Sequence, residues 1–565
     1  MKFRSSKWLL AGALLTGLLS GCASTGNEGK ASTTPASTPT AAAIETQTAV
    51  NVVPSPNFEP FGKYEEPVTF TMGLTKGDYS KLPQGDTPVD NVFTRFILNK
   101  VNVKVEPAWE IDASAYQQKV AISLAGGDIP DVLVVDQKTL NQLVESDLIA
   151  DLSKIYEQTA SPLLKEQYAS YNGRIMNAAT FDGKLMALPG TQVGGQHNLL
   201  WVRQDWLNKL QLQPPQTLTD VVGIAQAFIS QDPDGNNKAD TLGLLADPGI
   251  AGYYNTFHGL DTIFSLYGAY PRQWIKDQSG HVIYGSTAPE MKAALTEVSK
   301  LYKDGIIDKQ FAVRKPGEDA GAIIASGKVG LVFGPWWGPY WPLSDALKND
   351  PKADWKPFLA PLDENGKLRV YTQNPNNLFL VVSKKFAHPE AAIKFLNVQN
   401  QARYGLDPDA LDMILKNQGT DGYWPIQLQV DYEDAVHRTY TSLKEAIDTG
   451  SDANLRHDFK AMYEAYKKNL ENPGADPTVW AEATARYDGE ALTFSDGLTK
   501  VDPVFFGRTA TMETKWATLE KLENETLIKI VIGDMPVEKF DDFVQQWNKL
   551  GGNEITQEVA AAAAQ

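Results

Sequence analysis

Two periods of apolar and polar residues run along the chain. PVTFTMGL (67–74) and VKVEPAW (103–109) read as strands. PDVLVV (130–135) is apolar almost throughout, as in a strand covered on both faces. Between and after them, VFTRFILNKVN (92–102), SAYQQKVAISLAGG (114–127) and QKTLNQLVESDLIADL (137–152) carry helical spacing. Strands alternating with helices predict an α/β sheet with parallel strands. GKLMALPG (183–190) then leads into NLLWVRQDWLNKL (198–210), and a second region runs to about residue 372. No internal repeat breaks the pattern.

The N-terminus departs from it. Lys2, Arg4 and Lys7 form a basic start, and WLLAGALLTGLL (8–19) is an apolar run too short to span a bilayer. LSGC (19–22) puts small residues before Cys22, the single cysteine of the chain. This resembles a bacterial lipobox, which implies cleavage before Cys22 and diacylation of its sulfur. The expected location is the outer face of the cell membrane, held by acyl chains. Residues 23–62 hold KASTTPASTPTAAA and few large apolar residues, so they are expected to be a disordered tether.

Length and charge narrow the rest. A chain of 565 residues predicts more than one lobe. A net charge of −17 makes nucleic acid a poor partner. The 6 histidines show no metal-ligand spacing, which argues against zinc.

The order of SAYQQKVAISLAGGDIPDVLVV, GKLMALPG, LLWVRQDWLNKLQLQPPQTLTD, GKVGLVFGPWWGPYWPL and SKKFAHPEAAIKFLN resembles the extracellular solute-binding proteins, family 1, of ABC importers. Large Gram-positive lipoproteins and alginate-binding periplasmic proteins look closest. The resemblance implies an α/β, two-lobe clamp of the type 2 periplasmic-binding kind, with ligand in the cleft and hinge closure. It implies lobes of 63–189 with 376–428 and of 190–375 with 429–565, joined near Leu188–Thr191, Gln373–Asn377 and Pro425–Val430. It further implies a monomer, without enzymatic activity, that captures an oligosaccharide and delivers it to membrane permease subunits.

Candidate contacts follow. GPWWGPYWPL concentrates Trp336, Trp337, Tyr340 and Trp341 beside Gly338 and Pro339. Indole planes match the C–H faces of sugars, and by the resemblance Trp336 is the stacking residue. Buried core packing is the alternative for each. Trp201 matches a stacking aromatic of the maltose-binding relatives. Arg203 would share its strand face and suit a sugar carboxylate, or else pair with Asp205. Gln196, His197 and Asn198 can exchange hydrogen bonds with hydroxyls. Trp516 lies on a helix that contacts sugar in the family, with a core role open. Glu110 and Asp112 are further cleft-edge candidates.

DPDGNNKADT (232–241) spaces Asp232, Asp234, Asn236 and Asp240 as positions 1, 3, 5 and 9 of a calcium loop, with Lys238 offering its carbonyl at position 7. Asn237 stands where Gly is usual, and Gly243 where a bidentate Glu is usual. A structural Ca2+ is expected, in the second lobe; a solvated turn capped by its own Asp and Asn side chains is the alternative. The rival functions are a surface-anchored polysaccharide hydrolase or lyase and a ligand sensor for a membrane receptor.

Overall fold

A computed structural model describes residues 55–563, apart from 78, 80–81, 194–196, 253, 255, 316–317 and 417–422. Cys22, most of the expected tether and Gln196 lie outside the described residues.

Two sheets organise the molecule. The first has five strands, in the spatial order Val103–Ile111, Val68–Thr75, Val132–Val135, Asn376–Val382 and Leu188–Thr191. The second has four, in the order Trp355–Phe358, Leu199–Arg203, Val329–Gly334 and Leu242–Leu244. Each sheet has its own core. The first runs from Tyr64 to Leu188 and again from Phe379 to Val430. The second draws on Leu200–Ala360 and on Met512–Val559. The apolar Val132–Val135 strand is buried along its whole length, as its composition requires.

The sheets are mixed, not parallel as the alternation predicted. Val68–Thr75 pairs parallel with both its neighbours, but Asn376–Val382 is antiparallel to both of its own. The reason lies in the route of the chain. Leu188–Thr191 leaves the first core at one end of the sheet, and Asn376–Val382 re-enters at that same end, so it must run the other way. Another helix boundary moves too. The helix expected over 137–152 stops at Glu145, because Asp147 turns into the left-handed region (φ 52°) and frees Ile149 to bridge Ser383.

The strand-to-helix switch inside NLLWVRQDWLNKL occurs at Arg203, where Leu199–Arg203 gives way to the helix Gln204–Leu210. The end of the expected tether is ordered. Lys394 Nζ donates to Gly62 O (2.6 Å) and Asn397 Nδ2 to Pro60 O (3.0 Å), which straps residues 60–62 to the helix Pro389–Arg403.

Candidate functional site

The stretches that pass between the cores are stitched to one another. Thr191 N–H donates to Gln429 O (2.7 Å), Gln192 N–H to Pro375 O (2.8 Å), and Asp431 N–H to Thr191 Oγ1 (2.9 Å). Beside this junction lies a cavity of about 380 Å3. It is lined by Arg174, by Gln192, His197 and Gln373 of the connecting stretches, and by Lys500 with Tyr371 and Phe494 of two smaller apolar clusters. A second hollow of about 240 Å3 sits at the ends of the first sheet's strands, lined by Gly73, Thr75, Tyr116, Leu378 and Gln427. Ligands of open α/β sheets collect at such strand ends.

Polar groups around the larger cavity fall into two sets. Some are fully engaged. Tyr371 stacks on Tyr254 (4.2 Å between ring centres) and donates its hydroxyl to Asp261 (2.8 Å). Asp261 is buried, which pushes its carboxyl up to about 6. Arg174 pairs with Glu433, and Arg438 with Asp434 (2.7 Å). Others are unmet. His197 Nε2 and Gln373 Nε2 are buried with no hydrogen-bond partner. Burial, and then the charge of Lys500, push the His197 imidazole down to about 3, so it is neutral at physiological pH. Lys500 sits over the Phe494 ring (5.4 Å).

The strand register explains how the aromatic loop comes near. Gly334 pairs with Leu199, so Pro335 onward emerges beside His197 and Asn198. Asn198 Nδ2 donates to Thr256 O (3.0 Å) and Phe333 O accepts from His258 N–H (2.8 Å), which ties the 254–258 turn to the same sheet end. Phe257 then meets the edges of Trp337 (5.6 Å) and Trp341 (5.8 Å).

The expected aromatic contacts separate by burial. Trp201 is fully buried, and its Nε1–H is donated to Pro335 O (3.1 Å). Trp336 is 6% exposed; the Arg486 guanidinium covers its ring at 5.0 Å, and Gly489 approaches so closely that a Cβ there would stand 2.5 Å from Trp336 O. Neither offers a free ring face as the chain is folded here. Trp341 (41% exposed) and Tyr340 (37% exposed, with Arg486 at 5.9 Å over its ring) reach solvent, and Trp337 is half-buried against Phe257.

Arg203 is committed elsewhere. Its fork grips Asp205 (2.8 and 2.6 Å) and Asp350 (2.8 Å), and its plane lies on Trp206 (4.6 Å). Trp516 packs with Trp274 and Tyr284 (6.5 and 5.5 Å) on the second core, where no cavity residue is involved. Glu110 and Asp112, at the end of Val103–Ile111, line neither hollow. Lys500 and Gln373 were missed as candidates. Lys500 lies on a short strand, Leu498–Val501, that reads as surface until its pairing with Leu368–Tyr371 brings it to the cavity.

In the acidic loop, Asn236 is the hub. Its Nδ2 donates to Asp234 (2.7 Å) and Asp240 (3.0 Å), while Lys238 N–H donates to Asn236 Oδ1 (2.7 Å). Asn237 takes the left-handed conformation its position demands (φ 58°). Its N–H donates to Asp232 (3.0 Å). A hydrogen bond shared with Asp234 holds the Asp232 carboxyl low, and partial burial followed by that same bond raises Asp234. Lys328 stands 3.3 Å from Asp240. Among the described residues, no three His, Cys, Asp or Glu side chains are gathered closely enough to hold a metal. The Asn236 amide instead bridges the Asp234 and Asp240 carboxylates.

Residues 79–403 match the family model described as bacterial extracellular solute-binding protein. The polygalacturonan/rhamnogalacturonan-binding protein YtcQ of Bacillus subtilis is 25% identical over 479 residues, covering 82% of this chain and 86% of that one. Among solved structures, the alginate-binding protein AlgQ2 without calcium ion superposes with a TM-score of 0.59 at 17% identity, covering 90% of this chain and all of its own. FusA of S. pneumoniae, an EF-hand mutant in complex with fructo-nystose, gives 0.60 at 15% identity, with 88% and 99% covered. These likenesses share the two-lobe fold, and with the match over more than half of its length the chain belongs to the bacterial extracellular solute-binding proteins.

Proposed function

We propose that this protein captures an oligosaccharide in the cleft between its lobes and delivers it to the permease of an ABC importer. The observation that carries the reading is the 380 Å3 cavity beside the stretches that join the two cores, lined by buried nitrogens without partners. A ligand there touches both lobes, so its binding free energy differs between open and closed states, which is the condition for ligand-driven closure. The names of the YtcQ, AlgQ2 and FusA proteins, all saccharide binders, support the ligand class.

In this reading the lobes comprise 63–189 with 376–428 and 190–375 with 429–565. His197 supplies a polar contact, while Trp337 and Tyr340 supply apolar planes at the cleft edge. Trp201, Trp336 and Arg203 brace that edge from beneath. The chain acts as a monomer, held by acyl chains on Cys22 outside the cell membrane. A structural Ca2+ on Asp232, Asp234, Asn236, Asp240 and the Lys238 carbonyl stiffens the loop after the helix Leu218–Ser230. The test is calorimetric titration with a panel of oligosaccharides, followed by chromatography of the recovered sugar. Saturable binding with intact sugar is expected; shortened products would establish the hydrolase or lyase instead.

A further inference from the structure

The charge of the cavity lining runs against that of the chain as a whole. The protein carries −17 overall, yet the ionisable residues that line the cavity are Arg174, Arg438, Lys500, Glu433 and Asp434, besides His197. Glu433 and Asp434 are each neutralised by one of the arginines. Lys500 is left over. Among the described residues it has no carboxylate at ion-pair distance, and its ammonium rests over the Phe494 ring. A charge held in this way is directed but not neutralised.

Two further nitrogens among the residues that line the cavity lack partners. His197 Nε2 and Gln373 Nε2 are buried without a hydrogen bond. An unmet buried donor costs about 1–3 kcal/mol, so groups of this kind call for a ligand atom. The neutral imidazole offers one N–H and the amide two. Together with the ammonium, the Gln373 amide and the His197 imidazole in its Nε2-protonated tautomer line one cavity with donors and a positive charge. That is complementary to an anion rather than to a hydroxyl, which brings a proton of its own to place. Arg203, the residue the sequence suggested for this role, is already taken by Asp205 and Asp350.

We propose that Lys500, His197 and Gln373 form a carboxylate subsite, so that the cleft selects oligosaccharides carrying a uronate over neutral ones. This inference rests on the oligosaccharide reading above and deepens it. Lys500 is exposed, so the buried His197 and Gln373 groups supply the desolvated part of the contact, and together the three favour the acidic sugar by about tenfold.

The test uses calorimetry on the full-length protein. Oligogalacturonate and oligomannuronate are compared with the same oligosaccharides after reduction of their carboxyl groups. The wild type is expected to prefer at least one acidic sugar about tenfold over its reduced counterpart, with the preference shrinking as salt rises. Lys500→Gln removes the preference and Lys500→Arg keeps it. Equal or tighter binding of every reduced sugar overturns the inference, as does a preference that survives in Lys500→Gln. Uptake of reduced sugars alone ends the carboxylate subsite and leaves oligosaccharide capture standing. If the protein takes neither kind, both fall.

Discussion

The aromatic loop 335–342 starts beside His197, which lines the cavity with Gln373 and Lys500, yet the two regions are built on different principles. The loop is dense in indoles, but most of its surface is already used. Trp336 lies under Arg486 and against Gly489, and Trp337 meets Phe257. The cavity lining has few conspicuous residues, yet His197 Nε2 and Gln373 Nε2 are unmet, as Trp336 Nε1 is in the loop. Aromatic density thus marks packing as readily as recognition, and an unmet buried polar atom points to a ligand where it also lines a cavity, as at His197 and Gln373.

The comparison is sharpest where an indole is deepest. Trp201→Ala removes a fully buried ring whose N–H bonds to Pro335 O, and it is expected to cost about 3–5 kcal/mol of stability, read by denaturant unfolding. Trp336→Ala is expected to approach that loss. A stable Trp336→Ala protein without ligand affinity would return Trp336 to the binding surface.

His258 separates burial from binding by pH. Burial pushes its imidazole down to about 3, and neither ring nitrogen has a partner. The unfolded chain, with an ordinary histidine pKa of about 6.5, binds a proton that the folded state refuses. This contribution is therefore fully present above about pH 6.5 and is lost as pH falls toward 3, at about 1.4 kcal/mol per pH unit. His258→Gln is expected to flatten the fall in unfolding free energy between pH 6 and pH 4 by that slope. An unchanged slope would show that the imidazole is accessible.

Exposed rings give smaller effects on stability and larger ones on affinity. Tyr340→Ala is expected to weaken oligosaccharide binding by about 1 kcal/mol with a change in unfolding free energy of about 0.5 kcal/mol, since its side chain is exposed at the edge of the loop. Equal losses in both would make it a packing residue like Trp336. The smallest shift is expected at the acidic loop. Chelation is expected to lower the melting temperature by a few degrees, because an ion bound only to the folded state stabilises it in proportion to the logarithm of its concentration over its dissociation constant. No shift would leave Asn236 as the sole bridge between Asp234 and Asp240.

Much of the architecture was legible in the chain. Apolar period and turn residues located Val68–Thr75, Val92–Val101, Ala113–Ala125 and Val132–Val135 within a residue or two. Strand direction was not legible, because it depends on which end of the sheet the chain re-enters from the other lobe, as with Asn376–Val382. At the site, residue type identified aromatic and acidic clusters but carried no information on what covers them. Arg203 has the chemistry of a carboxylate binder and spends it on Asp205 and Asp350. Gln373 and Lys500 are unremarkable in sequence, and only the pairing of Leu498–Val501 with Leu368–Tyr371 sets Lys500 at the cavity.

The central claim is that a sugar sits where the two cores join. Calorimetric titration of oligosaccharides into the wild type and into Gln373→Leu tests it most directly, with a thermal melt to establish that the variant is folded. The account predicts saturable one-to-one binding in the wild type and a loss of about tenfold or more in the variant, whose buried amide no longer meets the ligand. Oligosaccharide affinity unchanged in a folded Gln373→Leu protein would contradict it.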